Sequence, residues 1–304
     1  MLCKIEIYFM KLSPIRLSII ERINAVDVKF HRDLLALLCS PFVFKAFFPK
    51  HLLFTEGEFS DFEEVWGWFK QVENEPFPKD LNKLRLGKYA EELLYFYFTK
   101  SPKYIALGYN LQLIDGKLTV GEIDYLLKDK NQNEFIHMEL AIKFFLKIEI
   151  NRENQWIGPS TKDNLTKKRN KLLHHQLQLT TTYKYLIPTE FQQINFTPKL
   201  LLKGAEFIHF PDYTGTSDPL VNAWWLHIDQ LEKINKGDFT YAIIPNRKDW
   251  IFPYNQRLER FTFDELALEL KDYLELQNEI LVARFNQHGT PIDRGFIVRS
   301  NWPF

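Results

Sequence analysis

The chain has no surplus of either charge: its 304 residues carry 39 Lys and Arg against 39 Asp and Glu. That excludes a strongly basic coat protein and removes any global electrostatic pointer to a polyanionic partner. Cysteine is scarce. Cys3 and Cys39 are the only two, too few and too scattered for a disulfide framework or a thiolate zinc site, so reduced thiols in a cytoplasmic protein are expected. No apolar run reaches the roughly 18 residues that a membrane helix needs, and no membrane contact is expected. The opening MLCKIEIYFMK is broken by Lys4 and Glu6; it reads as a short strand or a lead-in rather than a signal peptide. There is no repeat, no low-complexity tract, no glycine-rich loop to cradle a phosphate and no convincing Ser/His/Asp order. Aromatic residues are abundant instead: 27 Phe, 13 Tyr and 7 Trp. With 45% hydrophobic and 26% charged residues, the composition is that of a soluble globular protein with a large core.

Hydrophobic periodicity divides the chain. Residues 12–50 read as helical, with Ser13-Pro14 as a start signal. Ser60-Asp61-Phe62-Glu63 reads as a capping box ahead of VWGWFKQV. A third helix is expected from about Asp80 to Thr99. The period then changes to two. Strands are expected at 104–114, 118–129 and 134–146, joined by an Asp-Gly turn after Ile114 and by KNQN at 130–133. Ser160 and Asp163 open an expected helix running through NLTKKRNKLLHHQLQLTTTY, and PKLLLKG (198–204) is a fourth strand. Residues 80–204 thus follow the order α-β-β-β-α-β. Beyond them, a helix near 219–235, a strand at FTYAIIP, a long helix over 263–285 and a strand at GFIVRS are expected. The chain is expected to divide into an N-terminal helical extension (1–79), an α/β core (80–210) and a C-terminal α/β appendage (211–304).

The third strand places His137, Glu139 and Lys143 on one face and Ile136, Met138, Leu140, Ile142 and Phe144 on the other. In the second strand Glu122 and Asp124 share a face. If the 130–133 turn pairs the two strands, Asp124, Glu139 and Lys143 fall within one small patch. Carboxylates grouped with a lysine suit Mg²⁺, which takes oxygen ligands, and phosphodiester hydrolysis by metal-activated water. The plainer reading is the polar outer face of a half-exposed sheet.

The flanking helices hold further candidates. Glu92 lies four residues after Lys88, the spacing of a surface ion pair. Glu91 lies nearer the apolar stripe and the sheet. Gly87, unfavourable inside a helix, suggests a close packing contact. The stretch 161–175 has five Lys/Arg against one acid. Lys167, Lys168, Arg169 and Lys171, with Lys88, are candidates for phosphate contacts or a solvated face. Adjacent His174 and His175 point to different helix faces and make a poor zinc pair. Gln176 is either core-edge or site-facing.

The strings RLGKYAEELLYF, YNLQLIDGKLTVGEIDYLLKD, FIHMELAIKFFL and WIGPSTKDNLTKKRNKLLHHQLQL, in that order, resemble the bacterial family called domain of unknown function 1853. The likeness extends from HRDLLALLCSP to GFIVRSNWP. That family in turn resembles a divergent branch of the PD-(D/E)xK nuclease-like superfamily, whose core has the α-β-β-β-α-β order. By position the resemblance implies an α/β fold with a central mixed sheet flanked by helices. It implies Glu91 as the first-helix glutamate, Asp124 and Glu139 as ligands of Mg²⁺ or Mn²⁺, Lys143 as the lysine and Gln176 as the glutamine of the following helix. Two positions depart from the pattern. The usual lysine position holds Ala141, with Lys143 about 6.6 Å further along the strand. No proline precedes Asp124, and Glu122 is an extra carboxylate.

The expected function is therefore metal-dependent hydrolysis of nucleic acid, DNA or RNA. The alternatives are an inactive nuclease-fold binding module and a protein-interaction role. The neutral total charge is segregated rather than absent: 81–104 has five basic against two acidic residues, and 264–279 is acidic. Both basic stretches flank the expected site.

Overall fold

The computed structural model describes residues 13–54, 61–77, 80–235 and 237–304. The lead-in with Cys3 and the Ser60 of the expected capping box lie outside them. The chain forms two compact units. One comprises Val26–Glu206 with Asn246–Phe252; the other comprises the residues up to Ala25 with Phe207–Pro245 and Pro253–Phe304. No helix among the described residues is long and apolar enough to cross a membrane.

Helix α1 (Pro14–Asn24) begins as expected, with Ser13 at its N-cap and Pro14 in the first turn. The helical stretch read over 12–50 then divides, and α2 covers Lys29–Cys39. α2 is buried on every side from His31 to Cys39. Within the first-named unit it packs on α3 (Phe62–Val72) and α4 (Leu86–Lys100). α3 is capped by Asp61, whose carboxylate accepts from the Glu64 amide at 3.0 Å. α4 has two rows at helical spacing, Tyr89/Leu93/Tyr97 and Ala90/Leu94/Phe98, and all six residues are buried. It stops at Ser101, ahead of Pro102, which disfavours helical backbone in the residue before it.

Strands β1 (Tyr104–Asp115), β2 (Leu118–Asp129) and β3 (Glu134–Ile150) follow. The β1–β2 hairpin closes at Asp115↔Leu118, with Gly116 at φ +61°. β3 runs on past the expected end and turns at Asn151-Arg152, both with positive φ, into β4 (Glu153–Ile157). Sequence reading missed β4 because ENQWI shows too little alternation. Helix α5 (Leu165–His174) is capped by Asn164, not by Ser160 or Asp163, and the Asn164 side chain accepts from the Lys167 amide at 2.8 Å. It does not continue to Tyr183: His175 leaves helical backbone (φ −136°, ψ −69°), a short turn carries Gln176, and α6 is one turn (Leu179–Thr182). β5 (Thr197–His209) lies beside β3, where Gly204 (φ +130°) sits so close to Lys143 that a Cβ would fall 1.8 Å from its carbonyl oxygen. Strand order in this unit is β1-β2-β3-β5, with β4 also on β3. One core cluster gathers Phe44, Phe145, Leu172, Leu177, Leu200 and Leu202; another gathers Leu113, Ile123, Leu126 and Leu179.

The second unit has β6 (Ala223–His227), β7 (Phe239–Ile244), α7 (Phe263–Leu276), β8 (Glu279–Asn286) and β9 (Pro291–Val298), in the sheet order β6-β9-β8-β7. β6 pairs parallel with β9, and β8 pairs antiparallel with both β9 and β7. Two expectations are corrected here. Residues 219–235 are not a helix: AWWLH is a strand, buried almost throughout, followed by a 3₁₀ segment Ile228–Ile234. The helix expected over 263–285 ends at Leu276, and Glu279–Asn286 is a strand buried on both faces. A short continuous apolar run does not distinguish a buried strand from a buried helix. Each unit is thus mixed α/β. The helices expected as one N-terminal extension are shared out: α1 falls in the second unit, α2 and α3 in the first.

Candidate functional site: a carboxylate cluster at diverging strands

The β2–β3 ladder runs from Asp129↔Glu134 to Tyr125↔Met138. One step further the backbones give way to side chains. The Asp124 carboxylate accepts from the Leu140 amide at 2.8 Å, and the Glu139 carboxylate accepts from the Asp124 amide at 3.4 Å. Where two strands part, each loses ladder partners, and these two acids supply the missing acceptors. Asp124 and Glu139 therefore meet, as the alternation in the sequence implied, and both are buried, Glu139 completely.

Glu139 is held from several sides. Its Oε1 lies 3.1 Å from His137 Nε2, and its Oε2 accepts from Gln176 Nε2 at 2.6 Å. His137 Nδ1 lies 3.2 Å from the Thr180 hydroxyl. Gln176 in turn accepts from Lys168 Nζ at 3.0 Å. Burial drives the His137 pKa down to about 3, so the ring is neutral. With Glu139 ionised, Nε2–H donates to Glu139 while Nδ1 accepts from Thr180. Burial pushes Glu139 up to about 7, opposed by the Asp124 amide, Lys168 and Gln176. Asp124 is raised well above the usual carboxylate range, first by burial and then by the charges of Glu139 and Glu91.

In front of this pair lies a second group. Ligand-capable atoms of Glu91, Glu122 and Asp124 all lie within 4.8 Å of one another. Glu91 comes from α4 and Glu122 from β2, two residues before Asp124 on the same strand face. Lys88 donates to Glu91 at 2.8 Å, to Asn110 at 3.1 Å, and also to Glu122. Burial raises the Glu91 pKa, and Lys88 counteracts it.

The roles expected of α4 are thus exchanged. Lys88 pairs with Glu91, three residues on, rather than with Glu92. Glu92 turns inward and accepts from the Tyr109 hydroxyl at 2.8 Å. Gly87 has no atom within 4 Å of where its Cβ would be, so it marks no close contact.

The lysine also differs from expectation. Lys143 is on the expected face, but its ammonium pairs with Asp163. The cation felt by both Asp124 and Glu139 is that of Lys168, half-buried on α5. Burial lowers the Lys168 pKa, and the charge of Lys143 lowers it further. Of the other basic residues, Arg169 donates to the Phe47 carbonyl at 2.7 Å, while Lys167 and Lys171 are exposed. Glu122 was legible only as an extra acid. Thr180 carried no sequence signal, because its contact with His137 spans 43 residues.

Three carboxylates at this separation form a hard-oxygen donor set suited to Mg²⁺ or Mn²⁺ rather than to a thiophilic metal. No curated protein and no solved structure matches the chain significantly. The family described as Domain of unknown function (DUF1853) matches residues 32–298, most of the chain's length, and the protein belongs to that family.

Proposed function

We propose that the protein is a metal-dependent phosphodiesterase of the PD-(D/E)xK type acting on nucleic acid. The observation that carries this reading is the convergence of Glu91, Glu122 and Asp124 within 4.8 Å, backed by the Lys168–Gln176–Glu139 chain. The α-β-β-β-α-β order of α4 to β5, interrupted only by β4 and the turns around α6, agrees with it.

Asp124, Glu91 and Glu122 would hold Mg²⁺ or Mn²⁺. A divalent cation so held supplies charge neutralisation and a more acidic bound water. Glu139, whose oxygens already accept from His137, Asp124 and Gln176, fixes the Asp124 backbone and adds negative potential. Lys168 takes the place expected for Lys143: it is the half-buried cation whose charge acts on both Asp124 and Glu139, and it would face the charge that builds on a phosphate. Lys88 bridges Glu91 and Glu122 and is exposed, so it can swing to a phosphate when a divalent ion takes over its two partners.

The test uses purified protein with Mg²⁺ or Mn²⁺ and a panel of DNA and RNA substrates. Cleavage is expected, with a loss of at least about a hundredfold in Asp124→Asn and Lys168→Met. Cleavage that survives unchanged in Asp124→Asn would sink the assignment. The second reading is a non-catalytic nucleic-acid binder with the same fold. It is favoured by the Lys88 bridge, an internal cation already seated on two of the three acids. It predicts nucleic-acid binding without calorimetric Mn²⁺ uptake by the wild-type protein.

A further inference from the structure

Beside the carboxylates, three tyrosine rings are stacked from the core outward. Tyr125 on β2 is fully buried. Tyr109 on β1 stacks on it, with centroids 5.3 Å apart and planes at 30°. Tyr95 on α4 stacks on Tyr109 at 4.2 Å and 11°, nearly parallel. Tyr95 and Tyr109 are half-exposed, and no further ring follows Tyr95 among the described residues. The Tyr109 ring is fixed at its far end by the hydroxyl bond to Glu92.

This stack adjoins the proposed active site at two points. Tyr95 lies four residues after Glu91, on the same helix face and about 6 Å further along the axis. Tyr109 precedes Asn110, whose side chain accepts from the Lys88 that also holds Glu91. An aromatic stack ending at a half-exposed ring, one helical turn from a phosphate-handling site, has the form of a base-stacking platform. Aromatic side chains bind unpaired bases in this way because every base offers a π-face. Inside a duplex both faces of a base are covered by its neighbours, so the platform serves only a strand whose bases are free.

We infer that Tyr95, backed by Tyr109, forms a stacking platform for an unpaired base. The substrate class is then single-stranded nucleic acid, with the phosphate next to that base presented to Glu91, Glu122 and Asp124. The inference rests on the nuclease reading above and specifies its substrate.

The experiment uses the whole chain in Ca²⁺ with DNA and RNA oligonucleotides carrying 2-aminopurine, each single-stranded or fully paired. Binding of single strands is expected to quench the 2-aminopurine. Tyr95→Ala should lose the quench and bind single strands about tenfold to a hundredfold more weakly. Tyr95→Trp should keep both. Whichever of the DNA and RNA arms shows the quench identifies the sugar. Unchanged quench and affinity in Tyr95→Ala, or equal binding of paired and single strands by the wild-type protein, would overturn the inference. If Mn²⁺-dependent cleavage is lost in Asp124→Asn yet indifferent to Tyr95, the platform falls and the nuclease reading stands. If neither binding nor cleavage of any nucleic acid occurs, both fall.

Discussion

At the scale of single residues, Gln176 is the hinge of the buried polar network. It donates to Glu139 and accepts from Lys168, so its loss leaves a fully buried carboxylate oxygen without its 2.6 Å donor. The Gln176 bond favours ionised Glu139, so removing it lifts that carboxyl above its present value of about 7. An acid whose folded pKa is raised contributes stability below its unfolded pKa and loses it as pH rises through the folded one. Gln176→Ala should therefore cost about 1–3 kcal/mol at pH 8.5 and much less at pH 5, where Glu139 is protonated in both proteins. Urea unfolding at the two pH values measures the difference; an equal cost at both would contradict the assigned charge state. His31 gives the opposite limb. It is buried among Phe69, Phe77 and Phe96, and its Nε2 has no hydrogen-bond partner among the described residues. Burial lowers its pKa from 6.5. A histidine with a lowered folded pKa stabilises above its unfolded pKa, and that stability is lost as pH falls below about 6.5. His31→Phe is expected to make the acid limb of the stability profile shallower. It does not abolish the limb, since buried His137 titrates in the same sense.

At the scale of elements, glycine separates two kinds of site. Gly67 is exposed in the middle of α3 with nothing within 4 Å of its missing Cβ. Gly67→Ala should stabilise the protein by about 1 kcal/mol through helix propensity alone. Gly204 has φ +130° and a Cβ position 1.8 Å from the Lys143 carbonyl oxygen, so Gly204→Ala must push β5 off β3. A fall in Tm for Gly204→Ala beside a rise for Gly67→Ala is the expected pair of results in calorimetry. The same scale shows what a sequence reveals. β1 and β2 were legible to within a residue because each alternates in character and turns at Asp-Gly or an Asn-rich loop. The meeting of Asp124 with Glu139 followed from that register. β6 and β8 were not legible, since AWWLH and EILVARFN are buried on both faces and carry no period to read. The pairing of Lys143 with Asp163, and the placement of Lys168 where its charge acts on Asp124 and Glu139, were hidden for a different reason. They depend on Asp163 capturing one lysine across 20 residues and on the chain leaving the helix at His175, which aims Gln176 back at Glu139. Neither event has a local signature.

At the scale of the whole molecule, equal numbers of acids and bases bear on how nucleic acid would be held. Most basic residues near the proposed site are already engaged: Lys88 with two glutamates, Lys143 with Asp163, Lys168 with Gln176 and Arg169 with the Phe47 carbonyl. Lys167 and Lys171 are the exposed cations of α5 that form no ion pair among the described residues. Counterion release makes log K for a single strand fall by about 0.7 per phosphate neutralised for each unit of log salt. A chain with two such lysines and the displaceable Lys88 should show a slope of about −2, shallow beside strongly basic binders. Replacing Lys167 and Lys171 together by Gln should reduce the slope by about 1.4, while the quench by Tyr95 persists because stacking carries no charge. A titration of single-stranded oligonucleotide binding against KCl reads both quantities. A slope unchanged in the double variant would remove α5 from the proposed nucleic-acid face and leave the phosphate to Lys88 and the proposed metal ion alone.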